Sequence, residues 1–240
     1  MNQLNISGYK FIDLSSKDLS LYQALLKEKA LSLEIKGSIL LSPEGINLFL
    51  AGLPERIKSF VDYLKEFSEF ADIWCKESLS GNIPFKRLRV RIKEEIIAMK
   101  TPGIVPSKKT APYVTPAELK EWYQTNKDMI VLDTRNTYEY ELGTFDQALT
   151  LDIETFREFP QAVSTLSEDM RKKTIVTFCT GGIRCEKAAA HLLNQGFENV
   201  WQLEGGILNY FEQCGGEYFQ GKCFVFDERT AIDASLREVK

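Results

Sequence analysis

Two cysteines, Cys179 and Cys185, enclose the stretch of this 240-residue chain whose residue types are best suited to chemistry. The residues between them are Thr180, Gly181, Gly182, Ile183 and Arg184. A strand is predicted over residues 173–178 and a helix over residues 186–195, so this loop connects a strand end to a helix start. Backbone N–H groups of such a loop and the positive end of the helix point at the first cysteine and favour thiolate over thiol. We therefore predict that Cys179 is a reactive cysteine.

The residues around Cys179 distinguish four kinds of site. Structural zinc takes four nitrogen or sulfur ligands, whereas the chain has one histidine, His191, and no Cys-x-x-Cys pair, so no metal site is predicted. A cysteine hydrolase needs a base beside its nucleophile, and His191 lies far along the predicted helix, where a packing or surface role is expected. A phosphatase loop usually has five residues between cysteine and arginine, and here four separate Cys179 from Arg184. A loop sized for one sulfur atom, which carries a persulfide, fits the residues best.

Composition indicates a globular chain of two domains in a reducing cytoplasm. Hydrophobic residues make up 44% and charged residues 27%, and no signal peptide or membrane-spanning run is expected. Five cysteines are an odd number and too few for a disulfide scaffold. The net charge of −4 is uneven, with 15 Lys and Arg against 13 Asp and Glu in residues 1–100, and 15 against 21 in residues 101–240. This balance argues against a non-specific nucleic-acid coat but allows a local basic surface.

Residues 1–100 have the element order of a ferredoxin-like α+β sandwich, β-α-β-β-α-β with one extra strand. Ser15 or Ser16 is expected to cap the first helix. The predicted elements are a strand over 8–14, a helix over 17–30, a hairpin of strands over 37–42 and 46–52, a helix over 55–67, and strands over 71–76 and 85–99.

The last of these strands carries a row of cations that alternates with apolar residues. The cations are Arg87, Arg89, Arg91 and Lys93. A period of two places them on one face, about 7 Å apart along the strand. That spacing is close to the phosphate repeat of a nucleic-acid strand, but a solvated edge strand guarded by charge accounts for the pattern equally well.

A linker is predicted over residues 101–114, where three prolines interrupt any helical period and Lys108 and Lys109 add positive charge. Residues 115–218 then alternate strands and helices, which indicates an α/β domain with a mainly parallel sheet. A helix is expected over 154–170, and residues 219–240 are expected to form a tail with a strand over 223–227. Such sheets place their sites at the carboxyl end of a central strand, which is where Cys179 lies.

Four stretches of this second domain resemble a rhodanese domain, namely residues 131–135, 138–145, 178–184 and 203–207. The resemblance implies that Cys179 is the family's cysteine, that residues 180–184 form its cradle, and that Asp133 and Arg135 support it. The chain departs from many rhodaneses at Gly143-Thr144-Phe145, where Gly-His-Ile is common.

Longer motifs over nearly the whole chain resemble the rhodanese-domain tRNA uridine-34 hydroxylase family. They lie at residues 42–47, 84–91, 155–160 and 179–188. The resemblance implies a tRNA partner, oxygen-dependent formation of 5-hydroxyuridine at the wobble position, and an acylphosphatase-like amino-terminal domain. Longer members continue into a cysteine-rich segment that the printed sequence, ending at Lys240, does not contain.

No cofactor is recognisable, because an iron facial triad needs two histidines and no dinucleotide fingerprint is present. Molecular oxygen is the co-substrate that the resemblance implies, with a sulfur donor or reductant as a possible further partner. Our hypothesis is that Cys179 attacks C6 of the uracil ring and raises the electron density at C5. Arg184 then holds the loop or contacts a phosphate, and Cys185 either resolves an oxidised Cys179 or packs as a small residue.

Two other functions use the same loop. A rhodanese-type sulfurtransferase would carry a Cys179 persulfide to a thiol or to cyanide. A rhodanese-like binding module would recognise RNA or protein without catalysis, and the presence of Cys179 argues against it.

Overall fold

A computed structural model describes residues 2–239 as two compact units. The first ends at Ile97 and the second begins at Ala98. None of the helices within residues 2–239 combines the length and the hydropathy needed to cross a membrane.

The first unit is a five-stranded sheet with two helices on one face, as the predicted ferredoxin-like sandwich requires. The strand order is β4-β1-β3-β2-β5, in which β5 pairs in parallel with β2 and the other pairs are antiparallel. Apolar residues of both helices and of the facing strands form one core. In chain order the elements are β1 (Gln3–Phe11), α1 (Leu19–Ser32), β2 (Lys36–Ser42), β3 (Gly45–Gly52), α2 (Pro54–Lys65), β4 (Cys75–Ser80) and β5 (Leu88–Ile92).

Several predicted boundaries in this unit are wrong for local reasons. Asp18, rather than Ser15 or Ser16, caps α1, and its carboxylate accepts the N–H groups of Ser20 and Leu21 at 3.0 and 3.1 Å. Ser15 instead donates to Asp13. The first strand begins earlier than predicted and the fourth later.

The strand predicted over 85–99 is also shorter, since β5 ends at Ile92. Beyond it the N–H of Ile96 donates to the Glu44 carboxylate at 2.7 Å instead of continuing the ladder.

The cations around β5 lie on the sheet face opposite the helices. Leu88 and Val90 pack against the core, so the alternating Arg89 and Arg91 point the other way, and both are exposed. Arg87 and Lys93 flank the strand and are exposed as well. β5 is the edge strand of its sheet. The row is therefore an open basic surface of the first unit.

The second unit is built on a parallel sheet with the order β6-β10-β9-β7. β9 is an inner strand, and Cys179 follows its last residue, Phe178. In chain order the elements are β6 (Tyr113–Val114), α3 (Pro116–Gln124), β7 (Ile130–Asp133), α4 (Thr137–Tyr140), β8 (Gly143–Phe145), α5 (Phe159–Val163), β9 (Thr174–Phe178), α6 (Ile183–Asn194), β10 (Asn199–Leu203), α7 (Gly206–Cys214), β11 (Phe219–Gly221), β12 (Cys223–Phe224) and β13 (Ala231–Ile232).

Three segments of the second unit differ from their predictions. The helix expected over 154–170 is one short helix, α5, between 3₁₀ turns. The residues expected to end the linker form β6, which pairs with β10. The predicted tail is part of the fold, because β11 pairs with β8 and Cys223, Val225 and Ile232 are buried in the core. Its strand ends at Phe224 rather than at residue 227, and β13 pairs with it.

Candidate active site

Cys179 lies at the carboxyl end of the inner strand β9, in a loop that ends where α6 begins at Ile183. Its side chain is almost fully buried, with 1% of its surface exposed. The sulfur accepts the backbone N–H of Gly182 at 3.1 Å and a further N–H from Arg184. Gly182 has a φ of 95°, a left-handed conformation that suits glycine and turns its N–H toward the sulfur. The loop is thus a small concave donor site centred on one sulfur atom.

The donors and charge around Cys179 outweigh its burial. Burial alone would raise the pKa of the thiol, but a hydrogen bond from Cys185, the charge of Arg184 and the two backbone N–H groups lower the pKa to about 5. The loop therefore holds a thiolate at neutral pH.

Cys185 is the thiol partner of this thiolate. Burial and the neighbouring Cys179 raise its pKa well above the ordinary value, so it keeps its proton and donates to Cys179. Its sulfur lies 3.9 Å from the hydroxyl of Thr134, which follows β7 and donates to the Phe178 carbonyl at 2.9 Å. Cys185, in the first turn of α6, is therefore held against the residues that follow β7 and β9.

Arg184 is held by Glu139, a residue to which the sequence assigned no role. Its guanidinium donates to the two carboxylate oxygens at 2.5 and 2.7 Å, and both side chains are buried. The same carboxylate accepts the N–H of Asn136 at 3.1 Å at the start of α4. Because this carboxylate balances its charge, the Arg184 guanidinium stays buried instead of facing solvent. From there it supports the loop, and its positive charge stabilises the Cys179 thiolate. The local sequence could have indicated that Glu139 caps α4 together with Asn136. It could not have indicated the ion pair with Arg184, which is 45 residues away.

Asp133 and Arg135 form a second buried ion pair at the carboxyl end of β7. Arg135 donates to the Asp133 carboxylate at 2.9 and 2.6 Å and to the Gly143 carbonyl at 2.6 Å. Thr144, at the position where many rhodaneses have histidine, donates its hydroxyl to Asp133 at 2.8 Å. The pair ties the end of β7 to β8.

The start of α7 closes the loop from the other side. The N–H of Ile207 donates to the Cys179 carbonyl at 3.0 Å, and that of Leu208 donates to the Thr180 carbonyl at 3.1 Å. Gly206 has a φ of +67°, and a Cβ there would lie 2.4 Å from the Cys179 carbonyl oxygen. Only glycine allows this approach.

The remaining residues singled out in the sequence lie outside this cluster. His191 is buried on α6 beside Phe159, and burial lowers its pKa. Lys108 and Lys109 are exposed in the second unit, whereas the cations around β5 belong to the first. Within residues 2–239 no group of three or more His, Cys, Asp and Glu side chains is arranged to hold a metal ion.

Comparison with known families assigns both halves of the chain. Residues 4–96 match the UPF0176 acylphosphatase-like domain, and residues 115–213 match the rhodanese-like domain. Together with the cysteine loop, these matches define a two-domain protein with an acylphosphatase-like domain followed by a rhodanese-like domain.

Curated relatives identify the family more closely. A tRNA uridine(34) hydroxylase of Cupriavidus necator is 51% identical over 241 residues, 98% of this chain and 85% of the relative. One of Burkholderia mallei is 47% identical over 245 residues, 98% of this chain and 81% of the relative. Among solved structures, a rhodanese-like domain protein from Staphylococcus aureus matches 46% of this chain and 98% of its own, with 22% identity and a TM-score of 0.37. The chain belongs to the tRNA uridine(34) hydroxylase family.

The thiolate predicts an alkylation profile specific to Cys179. Its rate with iodoacetamide should be half-maximal near pH 5, rise about two-fold above that value and reach its plateau by pH 7, because the rate follows the thiolate fraction. Burial raises the pKa of Cys75 to about 11 and that of Cys223 to about 12, so these thiols should stay unreacted. Mass spectrometry of the Cys179 peptide measures the rate. Cys185→Ala should move the midpoint upward and Cys185→Ser, which keeps a donor, should restore it; identical midpoints would contradict the hydrogen bond.

Gly206→Ala should displace the loop, since the new methyl group meets backbone atoms that cannot move independently. We expect a higher Cys179 pKa in the same alkylation assay and a stability loss larger than the roughly 1–2 kcal/mol of left-handed strain alone. Gly103→Ala is the matched control, because Gly103 also has a positive φ, +81°, but nothing lies within 4 Å of its Cβ position. Equal effects of the two substitutions on the Cys179 midpoint would show that the contact with the loop is unimportant.

Proposed function

We propose that this chain hydroxylates uridine 34 of tRNA at C5 and that Cys179 is its nucleophile. The observation that carries the proposal is the buried thiolate with its convergent donors in a chain of the tRNA uridine(34) hydroxylase family. A tRNA substrate and five free cysteines also fit a cytoplasmic location.

In the first step the Cys179 thiolate adds to C6 of the uracil. A bond forms between sulfur and C6, and the electron pair of the C5–C6 double bond moves toward O4, which leaves C5 nucleophilic. Molecular oxygen then supplies the hydroxyl oxygen at C5. Loss of the C5 proton and departure of the thiolate restore the double bond.

The whole reaction balances with an external reductant. Uridine, dioxygen, two protons and two electrons give 5-hydroxyuridine and water, so the partner must donate two electrons. A dithiol protein or a reduced nucleotide meets this requirement.

Cys185 has two roles in this proposal. It donates a hydrogen bond to the thiolate in the resting state. If oxidation converts Cys179 to a sulfenic acid, the Cys185 thiol condenses with it, and the products are a disulfide and water. A reductant would then restore both thiols.

Sulfur transfer is the second candidate, because the same donors would stabilise a Cys179 persulfide. Incubation with thiosulfate followed by intact-mass measurement distinguishes it: a stable gain of one sulfur atom on Cys179 favours the sulfurtransferase.

Cys179→Ser should abolish hydroxylation, because a serine hydroxyl stays protonated at neutral pH and cannot add to C6. The assay is nucleoside analysis of tRNA from cells that lack the chain and express each variant. Cys214→Ser, outside the loop and with a raised thiol pKa, should keep full activity. Full hydroxylation by the Cys179→Ser variant would refute the nucleophile.

We further propose that the cations around β5 bind the tRNA backbone, with Lys108 and Lys109 of the second unit contributing. Arg89→Glu with Arg91→Glu should weaken tRNA binding and lower the slope of log Kd against log salt by about one for each lost phosphate contact. A matched control with the same charge change is Lys27→Glu with Lys58→Glu, on exposed positions of the helices covering the other face. If the arginine variant binds tRNA with unchanged affinity, β5 is only an edge strand protected by charge and does not bind tRNA.

A further inference from the structure

Among the exposed aromatic side chains of the second unit, Tyr138 and Phe226 share one neighbour. Tyr138 is 40% exposed and Phe226 is 47% exposed, whereas Phe145, Phe178 and Tyr210 lie in the core. The rings of Tyr138 and Phe226 both contact Phe224, with centroid distances of 5.2 and 5.1 Å. We name Tyr138, Phe224 and Phe226 the aromatic surface.

The aromatic surface borders the cysteine loop. The Thr180 hydroxyl donates to the Phe224 carbonyl at 3.4 Å. The Phe226 ring centroid lies 5.6 Å from the guanidinium carbon of Arg184. Tyr138 directly precedes Glu139, which holds Arg184. The rings are therefore continuous with the site rather than an isolated patch.

Local hydrogen bonds fix this surface in place. The Asn136 side chain donates to the Tyr138 hydroxyl at 3.0 Å. After Phe226 the chain turns back, and the turn is closed by the Val225 N–H, which donates to the Thr230 carbonyl at 2.9 Å. Arg229 donates to the Asp227 carboxylate at 2.8 Å within that turn. Exposed rings held in this way are preorganised for binding.

The chemistry at this border suits a nucleobase. Glu139 neutralises Arg184, so the loop offers no unpaired guanidinium for a phosphate. A uridine that reaches a buried sulfur must leave the base stack, and its neighbour in the anticodon loop then loses a stacking partner. Exposed aromatic rings are the usual replacement for such a partner.

We propose that Tyr138 and Phe226 stack against the unpaired base next to uridine 34. This inference rests on the proposed function and extends it from the reacting base to its neighbour. Both residues are positioning residues, since they orient the substrate without touching the reacting atoms.

The test measures the affinity of an anticodon stem-loop RNA for the full chain and its variants. Tyr138→Ala and Phe226→Ala should each raise the Kd about five-fold or more, the range found when base stacking is lost. Phe226→Trp keeps a ring and should bind as the unaltered chain does. Tyr138→Phe keeps the ring but loses the hydrogen bond from Asn136, so it should bind more tightly than Tyr138→Ala and slightly less tightly than the unaltered chain. Val105→Ala, which shortens another exposed apolar side chain of the same unit, is the control. Alkylation of Cys179 should keep its pH midpoint in every variant.

An abasic nucleotide on either side of uridine 34 identifies the stacked base. At the position of the stacked base, the abasic nucleotide should weaken binding of the RNA to the unaltered chain. The Phe226→Ala variant should bind that abasic RNA no more weakly than the unaltered chain does. If Tyr138→Ala and Phe226→Ala bind the stem-loop as tightly as Val105→Ala does, the stacking inference is overturned and the proposed function is unaffected. If Phe226→Ala instead abolishes self-association and leaves RNA affinity unchanged, the surface binds a second copy and the inference is overturned. Failure of the unaltered chain to bind the stem-loop would overturn the proposed function as well.

Discussion

A buried thiolate is the constraint on which the site depends. Cys179 has 1% of its surface exposed, and burial without donors would keep it protonated. The Arg184 charge that stabilises it is itself buried and needs Glu139, because an uncompensated buried charge costs about 3–5 kcal/mol. Glu139 also binds the backbone at the start of α4. The need to balance the buried charge of Arg184 thus fixes the cysteine loop, the start of α4 and the segment between β7 and β8.

The low pKa of Cys179 fits a nucleophile that must later depart. A thiolate with a pKa of about 5 is a weaker nucleophile than an ordinary thiolate but a better leaving group, and at neutral pH it is fully ionised. The proposed addition to C6 followed by elimination would need both properties in one cycle. Cys185, whose pKa is raised, keeps the proton that makes it a donor. The two cysteines therefore have opposite protonation states, which their different hydrogen-bond partners maintain.

Sequence patterns predicted what depends on neighbouring residues. The strand, glycine turn and helix around Cys179 are local, and alternation placed Leu88 and Val90 against the core and Arg89 and Arg91 away from it. The ion pair of Arg184 and Glu139 joins residues 45 positions apart, and no periodic pattern in the sequence predicts it. The sequence predicts only a tail at residues 219–221, because so short a strand has no pattern of its own and is defined only by its pairing with β8. Asp18 caps α1 in place of the expected serine because its carboxylate, two or three residues further along the chain, accepts two N–H groups.

The surroundings of the loop favour a base over a small sulfur donor as the substrate. Thiosulfate carries two negative charges and would need cations at the loop, yet the buried arginine beside Cys179 is already paired with Glu139. What borders the loop instead is a fixed pair of exposed rings, which bind a planar apolar face well and a small dianion poorly. The charges that could attract a polyanion lie on β5 of the first unit, where they suit a long backbone rather than a small anion. Cations that contact a backbone and rings that stack on bases are the two kinds of contact by which proteins bind single-stranded nucleic acid, which is the basis of both proposals.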